Sequence, residues 1–299
     1  MKRKHDNIAS KKRKENYSKR WFKESLSLLK REKINIKNVI DIGTGKGEFL
    51  EILKTNFSVL SLTGVDYVDA DLEILEQKNI KAIKIDLDSF DINSFPALKY
   101  KFDLVICLAT VEHVFNTDQL FSFFNYLLKE DGNLLISTPN MGSFHYKLFN
   151  LLRGYPFGEG HHVRFFNKNK IQRYAFFNGF NIIKWNNYFT FSTEVIRRGL
   201  GIKNTFVVYC LGLLFFSPLL ILSKLNIFNF FVNNNLMILL RKSDFLPLGF
   251  QIDDFHESFN SLSALKKELW IKRIKKYYKK DQLKDTINFK SCIKKIIKQ

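Results

Sequence analysis

The run VIDIGTGKGEF, Val39 to Phe49, sets three glycines at every second position, Gly43, Gly45 and Gly47, just behind a carboxylate, Asp41. Glycines placed between an apolar stretch and a helical pattern let a nucleotide-like ligand approach the backbone, because no side chain intrudes. A second carboxylate, Asp66, ends the next apolar stretch, where an acidic residue can accept from ribose hydroxyls. Three histidines offer the imidazole that suits a general base near neutral pH: His113 in ATVEHV, and His161 and His162 in GEGHHVRFF. Arg164 follows the histidine pair closely.

The spacing discriminates between nucleotides. A phosphate loop of the form GxxxxGK[ST] needs a spacing and a Ser/Thr that Lys46 lacks around it. A dinucleotide turn of the form GxGxxG needs its third glycine one position later than Gly47. Asp66 therefore supports a ribose, while a pyrophosphate has little support.

The elements that must hold these residues alternate. Strands are predicted over Asn38–Asp41, Val59–Asp66, Lys81–Ile85, Phe102–Leu108 and Asn133–Thr138, with helices over Glu48–Thr55, Asp69–Lys78 and Asp118–Lys129 between them. FDLVICL and NLLIST are nearly continuous apolar runs, as strands covered on both faces require. IQRYAFFNGFNIIKW reads as a helix, a Gly179 cap and a strand, and NLMILLRK, Asn235–Lys242, as the last strand. The fold class is α/β: a Rossmann-like, doubly wound, seven-stranded sheet whose last strand is antiparallel, with a helical insertion before that strand.

VIDIGTGKGEFL resembles motif I of class I S-adenosylmethionine-dependent methyltransferases, and LTGVDY, IKIDLDSF and FDLVICLATVEHV follow in that family's order and spacing. The last segment is similar to the ubiquinone/menaquinone-biosynthesis-type branch, as is HHVRFFNKNKIQRYAFFNGF beyond the fifth strand, so the resemblance covers roughly residues 36–242. It implies S-adenosylmethionine as cofactor and a cofactor-binding set of Asp41, Gly43, Gly45, Gly47, Asp66, Asp86, Leu87, Cys107 and Leu108. Asp41 would face the ammonium group, Asp66 the ribose and Asp86 the adenine amino group, with Leu87 beside the ring and Cys107 and Leu108 lining the pocket. On the acceptor side it implies His162, His113 and Arg164 as catalytic candidates, with His161 a weaker one. Tyr146, Tyr155 and Phe157 are candidates for pocket wall or for packing. Some relatives hold a divalent metal between two glutamates and a histidine here. Ala109 stands where the first glutamate would be, so no metal is expected.

The 299 residues carry a net charge of +19, concentrated at the two ends. Residues 1–37 hold 14 Lys/Arg to 4 Asp/Glu and residues 262–299 hold 13 to 3, leaving the segment between them near neutrality. The chain thus divides into a basic N-terminal extension, 1–37, with a helix from Trp21 to Arg31; a catalytic domain, 38–242; and a basic helical C-terminal extension, 243–299. Within the domain lies an insertion at about 200–232, whose stretch Thr205–Ser223 has no charged residue. That insertion suits a lid on the domain, a helix pair on a membrane surface, or a re-entrant hairpin. A single crossing would strand the last β-strand on the wrong side of the bilayer. Three scattered cysteines and no apolar stretch after the basic N-terminus lead to the expectation of a cytoplasmic protein, peripheral at the inner membrane face if the insertion binds there. The expected activity is O-methylation of a small-molecule, sugar or lipid-linked acceptor, with an anionic membrane surface as a partner. An RNA methyltransferase with basic tails and a non-catalytic cofactor-binding protein are the alternatives, and the near-neutral central segment argues against nucleic acid. Oligomeric state is left open.

Overall fold

In a computed structural model that describes residues 8–153, 162–190, 202, 204–225 and 228–243, the chain forms one seven-stranded sheet. The strands are β1 Asn38–Ile42, β2 Ser61–Asp66, β3 Lys81–Lys84, β4 Phe102–Leu108, β5 Leu128–Pro139, β6 Phe180–Trp185 and β7 Asn235–Lys242, in the spatial order β3-β2-β1-β4-β5-β7-β6. Neighbours from β3 to β5 run parallel, whereas β7 is antiparallel to both β5 and β6. The α/β class, the seven strands and the antiparallel final strand all agree with the sequence reading. The chain winds outward from β1 in both directions, so the crevice at the carboxyl ends of β1 and β4 is where such a sheet binds ligands.

Alternation along the strands feeds two cores, one per face. Ile40, Ile42, Val105 and Cys107 point to the side covered by α4 (Thr117–Leu127) and α6 (Lys168–Phe177). Val39, Leu104 and Ile106 point to the side covered by α1 (Ile8–Arg31), α2 (Glu48–Asn56) and α3 (Asp69–Gln77). The N-terminal helix starts well before the expected Trp21. Its Leu28 and Leu29 are buried and Phe22 stacks on Phe49 at 5.2 Å, so its last turns belong to the domain core.

Short polar side chains begin the helices that flank the site. Asn116 accepts from the Gln119 amide to start α4, and Asn167 from the Lys170 amide to start α6. Two more helices follow β5 and β6: α5 (Phe144–Arg153), and the insertion helix α7 (Thr205–Lys224), which leads to a single turn, α8 (Asn229–Val232). The C-terminal extension beyond Ser243 lies outside the described residues.

Candidate active site

β1 delivers Asp41 into the sheet with 4 % of its surface exposed, beside the glycine turn. Thr44 Oγ donates to its carboxylate at 3.0 Å. Burial pushes the Asp41 carboxyl up to about 7, against the Thr44 bond and with the nearby Asp66 charge adding to the rise. A cation arriving at Asp41 would relieve that cost, which is what a ligand ammonium group offers.

The three glycines have different tasks. At Gly43, with φ +75, a Cβ would sit 2.3 Å from Thr110 Oγ, so this glycine makes room for a neighbouring side chain. Gly47 caps α2 at φ 71, and its missing Cβ leaves space for Leu75. Only Gly45 faces open space, with nothing within 4 Å of a Cβ at φ +53. Gly45 is thus the glycine beside open space, while the missing side chains at Gly43 and Gly47 make room for Thr110 and Leu75. Asp66, at the end of β2, accepts from the Gly45 amide at 2.8 Å and from the Tyr67 and Val68 amides at 2.8 and 3.2 Å. It fastens the turn as well as offering its remaining lone pairs to a ribose. The open cradle at Gly45, the carboxylate behind it and the desolvated Asp41 together fit an adenosine carrying a cationic amino acid, as S-adenosylmethionine does.

The remaining cofactor candidates are placed less evenly. Asp86 is exposed after β3, and both its oxygens bond its own turn, to the Asp88 amide at 3.0 Å and Ser89 Oγ at 2.8 Å. Those bonds hold its carboxyl below the usual range. Leu87 is half-buried beside it. Cys107 is fully buried in the core, where desolvation raises its thiol pKa, and it presents no surface to a ligand. Leu108, one residue on, is half-exposed. Thr110 is a site residue that the spacing did not single out. It packs on Gly43 and donates to the Leu108 carbonyl at 3.2 Å, behind Ala109 in a left-handed conformation (φ 52).

The acceptor side is assembled from two distant segments. After β4, residues Val111–His113 form a 3-10 turn with Glu112 buried at 2 % exposure. The Glu112 carbonyl accepts from the amides of both Val163 and Arg164 at 3.0 Å. The Arg164 guanidinium donates to the Phe115 carbonyl through Nε, at 3.0 Å, and through Nη2. Arg164 is therefore a clamp that seats residues 162–166 on the turn. The result places the His113 and His162 rings edge to face at 4.9 Å. One donor atom each from Glu112, His113 and His162 lies within 4.8 Å of the others, a set that could hold a divalent ion. Ala109 removes one donor from the expected pattern, and the fold supplies another from His162, some fifty residues later in the chain. Tyr146 stands on α5, and His161, Tyr155 and Phe157 lie outside the described residues.

Residues 12–184, more than half of the chain, match the methyltransferase domain family. The ubiquinone biosynthesis O-methyltransferase of Glaesserella parasuis is 31 % identical over 119 residues, covering 38 % of this chain and 49 % of that protein. The malonyl-[acyl-carrier protein] O-methyltransferase of a Paenibacillus species is 26 % identical over 113 residues, covering 36 % and 40 %. The chain thus spans about half the length of the curated relatives it matches. Among solved structures, a chain of the complex with the Trm112 methyltransferase activator from Haloferax volcanii shares the fold at a TM-score of 0.52 and 10 % identity, over 81 % of this chain and 99 % of that one. Family match, sheet order and the glycine turn after β1 converge: this chain belongs to the class I S-adenosylmethionine-dependent methyltransferases.

Proposed function

We propose that the chain transfers the methyl group to an oxygen on a small-molecule, sugar or lipid-linked acceptor, with His162 taking the hydroxyl proton. The observation that carries this reading is the pairing of His162 with His113 over the buried Glu112, at the strand ends that also hold the glycine turn. The cofactor supplies an electrophilic methyl group bound to a sulfonium. The oxygen–methyl bond forms as the sulfur–methyl bond breaks, and the acceptor proton passes to an imidazole nitrogen of His162. Arg164 acts as a positioning residue by holding the His162 segment against the turn. The two relatives named above are O-methyltransferases, which favours oxygen over nitrogen.

A second reading is favoured by the donor set itself. Glu112, His113 and His162 would hold a divalent cation, and one carboxylate with two imidazoles suits zinc, a borderline ion, or the harder manganese. Such an ion would polarise an acceptor hydroxyl.

The test is methyl transfer from radiolabelled S-adenosylmethionine to a panel of phenols, sugars and carboxylic acids. With a hydroxyl acceptor, His162→Gln should lower kcat about 100-fold or more while cofactor affinity measured by calorimetry stays unchanged. Methylation of a nitrogen or a carboxylate at full rate in that variant would overturn the assignment. Loss of rate on chelation, restored by zinc or manganese and absent in Glu112→Gln, would favour the cation.

A further inference from the structure

Helix α7 carries no charge from Thr205 to Ser223, and among the described residues one stripe of it is covered and another is exposed. Val208 and Leu219 are buried with Phe189 and Val232, and Leu211 and Leu222 pack against that cluster, so a stripe at helical spacing faces the body. On the other side Phe206 is 75 % exposed and Leu214 69 %, and Ile221 and Leu225 are exposed as well. Of the fifteen exposed large hydrophobic side chains among the described residues, ten fall between Phe144 and Phe231. A patch so concentrated calls for an occupant.

The patch continues beyond α7. Ser223 Oγ donates to Asn233 Oδ1 at 2.5 Å, and Asn140 Nδ2, at the end of β5, donates to the Phe230 and Asn233 carbonyls. Phe231 of α8 meets Phe144 of α5 at 5.4 Å, and Leu151 on the same helix is 80 % exposed. Cations stand at this edge: Lys147 Nζ lies 5.7 Å from the Phe231 ring and Lys168 Nζ 4.3 Å from the Phe230 ring. Aliphatic and aromatic side chains with lysines beside them form the arrangement that sits at a lipid headgroup boundary.

Charge selects the occupant. Residues 140–242 hold 13 Lys/Arg against 2 Asp/Glu. A second copy of this face, or the chain's own C-terminal segment with 13 Lys/Arg to 3 Asp/Glu, would bring like charge against like. RNA would need phosphate contacts along α7, yet nineteen consecutive residues, Thr205–Ser223, carry no charge. Crossing the bilayer does not fit either. No single helix among the described residues is long and apolar enough; Phe206–Gly212 and Ser217–Lys224, bent by 41°, reach that length only as a broken pair, and β7 returns to pair with β5 and β6 on the side from which the chain entered.

We propose that the outward face of α7, continued by α8 and α5, docks in plane on an anionic phospholipid bilayer. The docked face borders the acceptor side of the site, since the Met141 amide, just before α5, donates to the Phe166 carbonyl of the segment that carries His162. An acceptor held in the bilayer thereby enters beside the histidines. The docking stands whichever acceptor is methylated.

The experiment is flotation of the full chain with vesicles of phosphatidylglycerol and phosphatidylethanolamine, and with phosphatidylcholine alone, for wild type and Leu214→Glu/Ile221→Glu. Wild type should float with the anionic vesicles and not with phosphatidylcholine. The double variant should bind at least about tenfold more weakly. Calorimetry with S-adenosylmethionine checks independently that the variant is folded and the cofactor site intact. Leu214→Ala/Ile221→Ala serves as the milder pair if the glutamates prevent folding. Anionic-vesicle binding unchanged by both pairs would assign binding to the basic ends and overturn the proposal. So would equal binding to phosphatidylcholine, or self-association or RNA binding that the double variant abolishes while vesicles are ignored.

Discussion

Residues 38–139 carry 16 Asp/Glu against 8 Lys/Arg, whereas residues 140–242 carry 2 against 13. The acidic half fastens its loops with carboxylates: Asp66 on the Gly45, Tyr67 and Val68 amides, Asp86 on its own turn, and Asp88 on the Phe115 and Asn116 amides. The basic half fastens its loops with neutral amides. Asn234 bonds both the amide and the carbonyl of Thr190, Asn235 bonds the Thr190 hydroxyl, and Asn140 bridges to α8. The residues expected to hold the cationic cofactor belong to the first half, and the surface proposed to meet anionic lipid belongs to the second. The two net charges are opposite in sign to the cofactor's sulfonium and to the proposed lipid surface respectively.

The largest effect that sharpens this contrast is expected at Asp66. Its carboxylate holds the Gly45 amide that shapes the open cradle, and charge-assisted bonds of this kind contribute about 1.5–3 kcal/mol each. Asp66→Ala should weaken S-adenosylmethionine binding about 100-fold or more by calorimetry, without changing flotation on anionic vesicles. A loss of both together would mean that the two halves are not separable in this way.

The glycines give a smaller and more divided response. Gly43→Ala drives a methyl into Thr110 at a positive φ, and should lower Tm by about 5–10 °C. Gly45→Ala meets no protein atom within 4 Å, and should lower Tm by only about 2–4 °C while still weakening cofactor binding about tenfold. Equal binding loss with equal destabilisation in both would remove the distinction between a packing glycine and a cradle glycine.

Periodicity and turn chemistry made the sheet legible, since apolar strands alternating with helices leave few topologies. Asp41 and the glycine turn stand together in the sequence, and Asp66 joins them because β2 pairs beside β1 in parallel, as the strand alternation predicts. The acceptor side was not legible, because it depends on a long-range contact. His162 reaches His113 only through amide bonds to the Glu112 carbonyl, which no local spacing encodes. Strand alternation turns Cys107, expected to line the pocket, into one core, while Leu108 packs half-exposed against the other. The near-neutral total of the central segment concealed two opposed halves, because summing charge over so long a stretch discards its position.

Asp41 gives the most direct measure of how far the acidic half is built for a cation. Its carboxyl, about 7 in the folded protein against 3.8 when unperturbed, holds a proton that the unfolded chain releases. Without cofactor, stability should therefore fall as pH rises from about 4 to about 7, by up to about 4 kcal/mol in all, and Asp41→Asn should flatten that slope. A bound ammonium group favours the ionised form, so the sign reverses for the ligand. Affinity for S-adenosylmethionine should rise about tenfold between pH 6 and pH 8, with a proton released on binding at the lower end. Calorimetry in buffers of different ionisation enthalpy reads that proton directly. A wild-type protein whose affinity is as flat with pH as that of Asp41→Asn would show that the buried carboxylate does not meet the cofactor's charge.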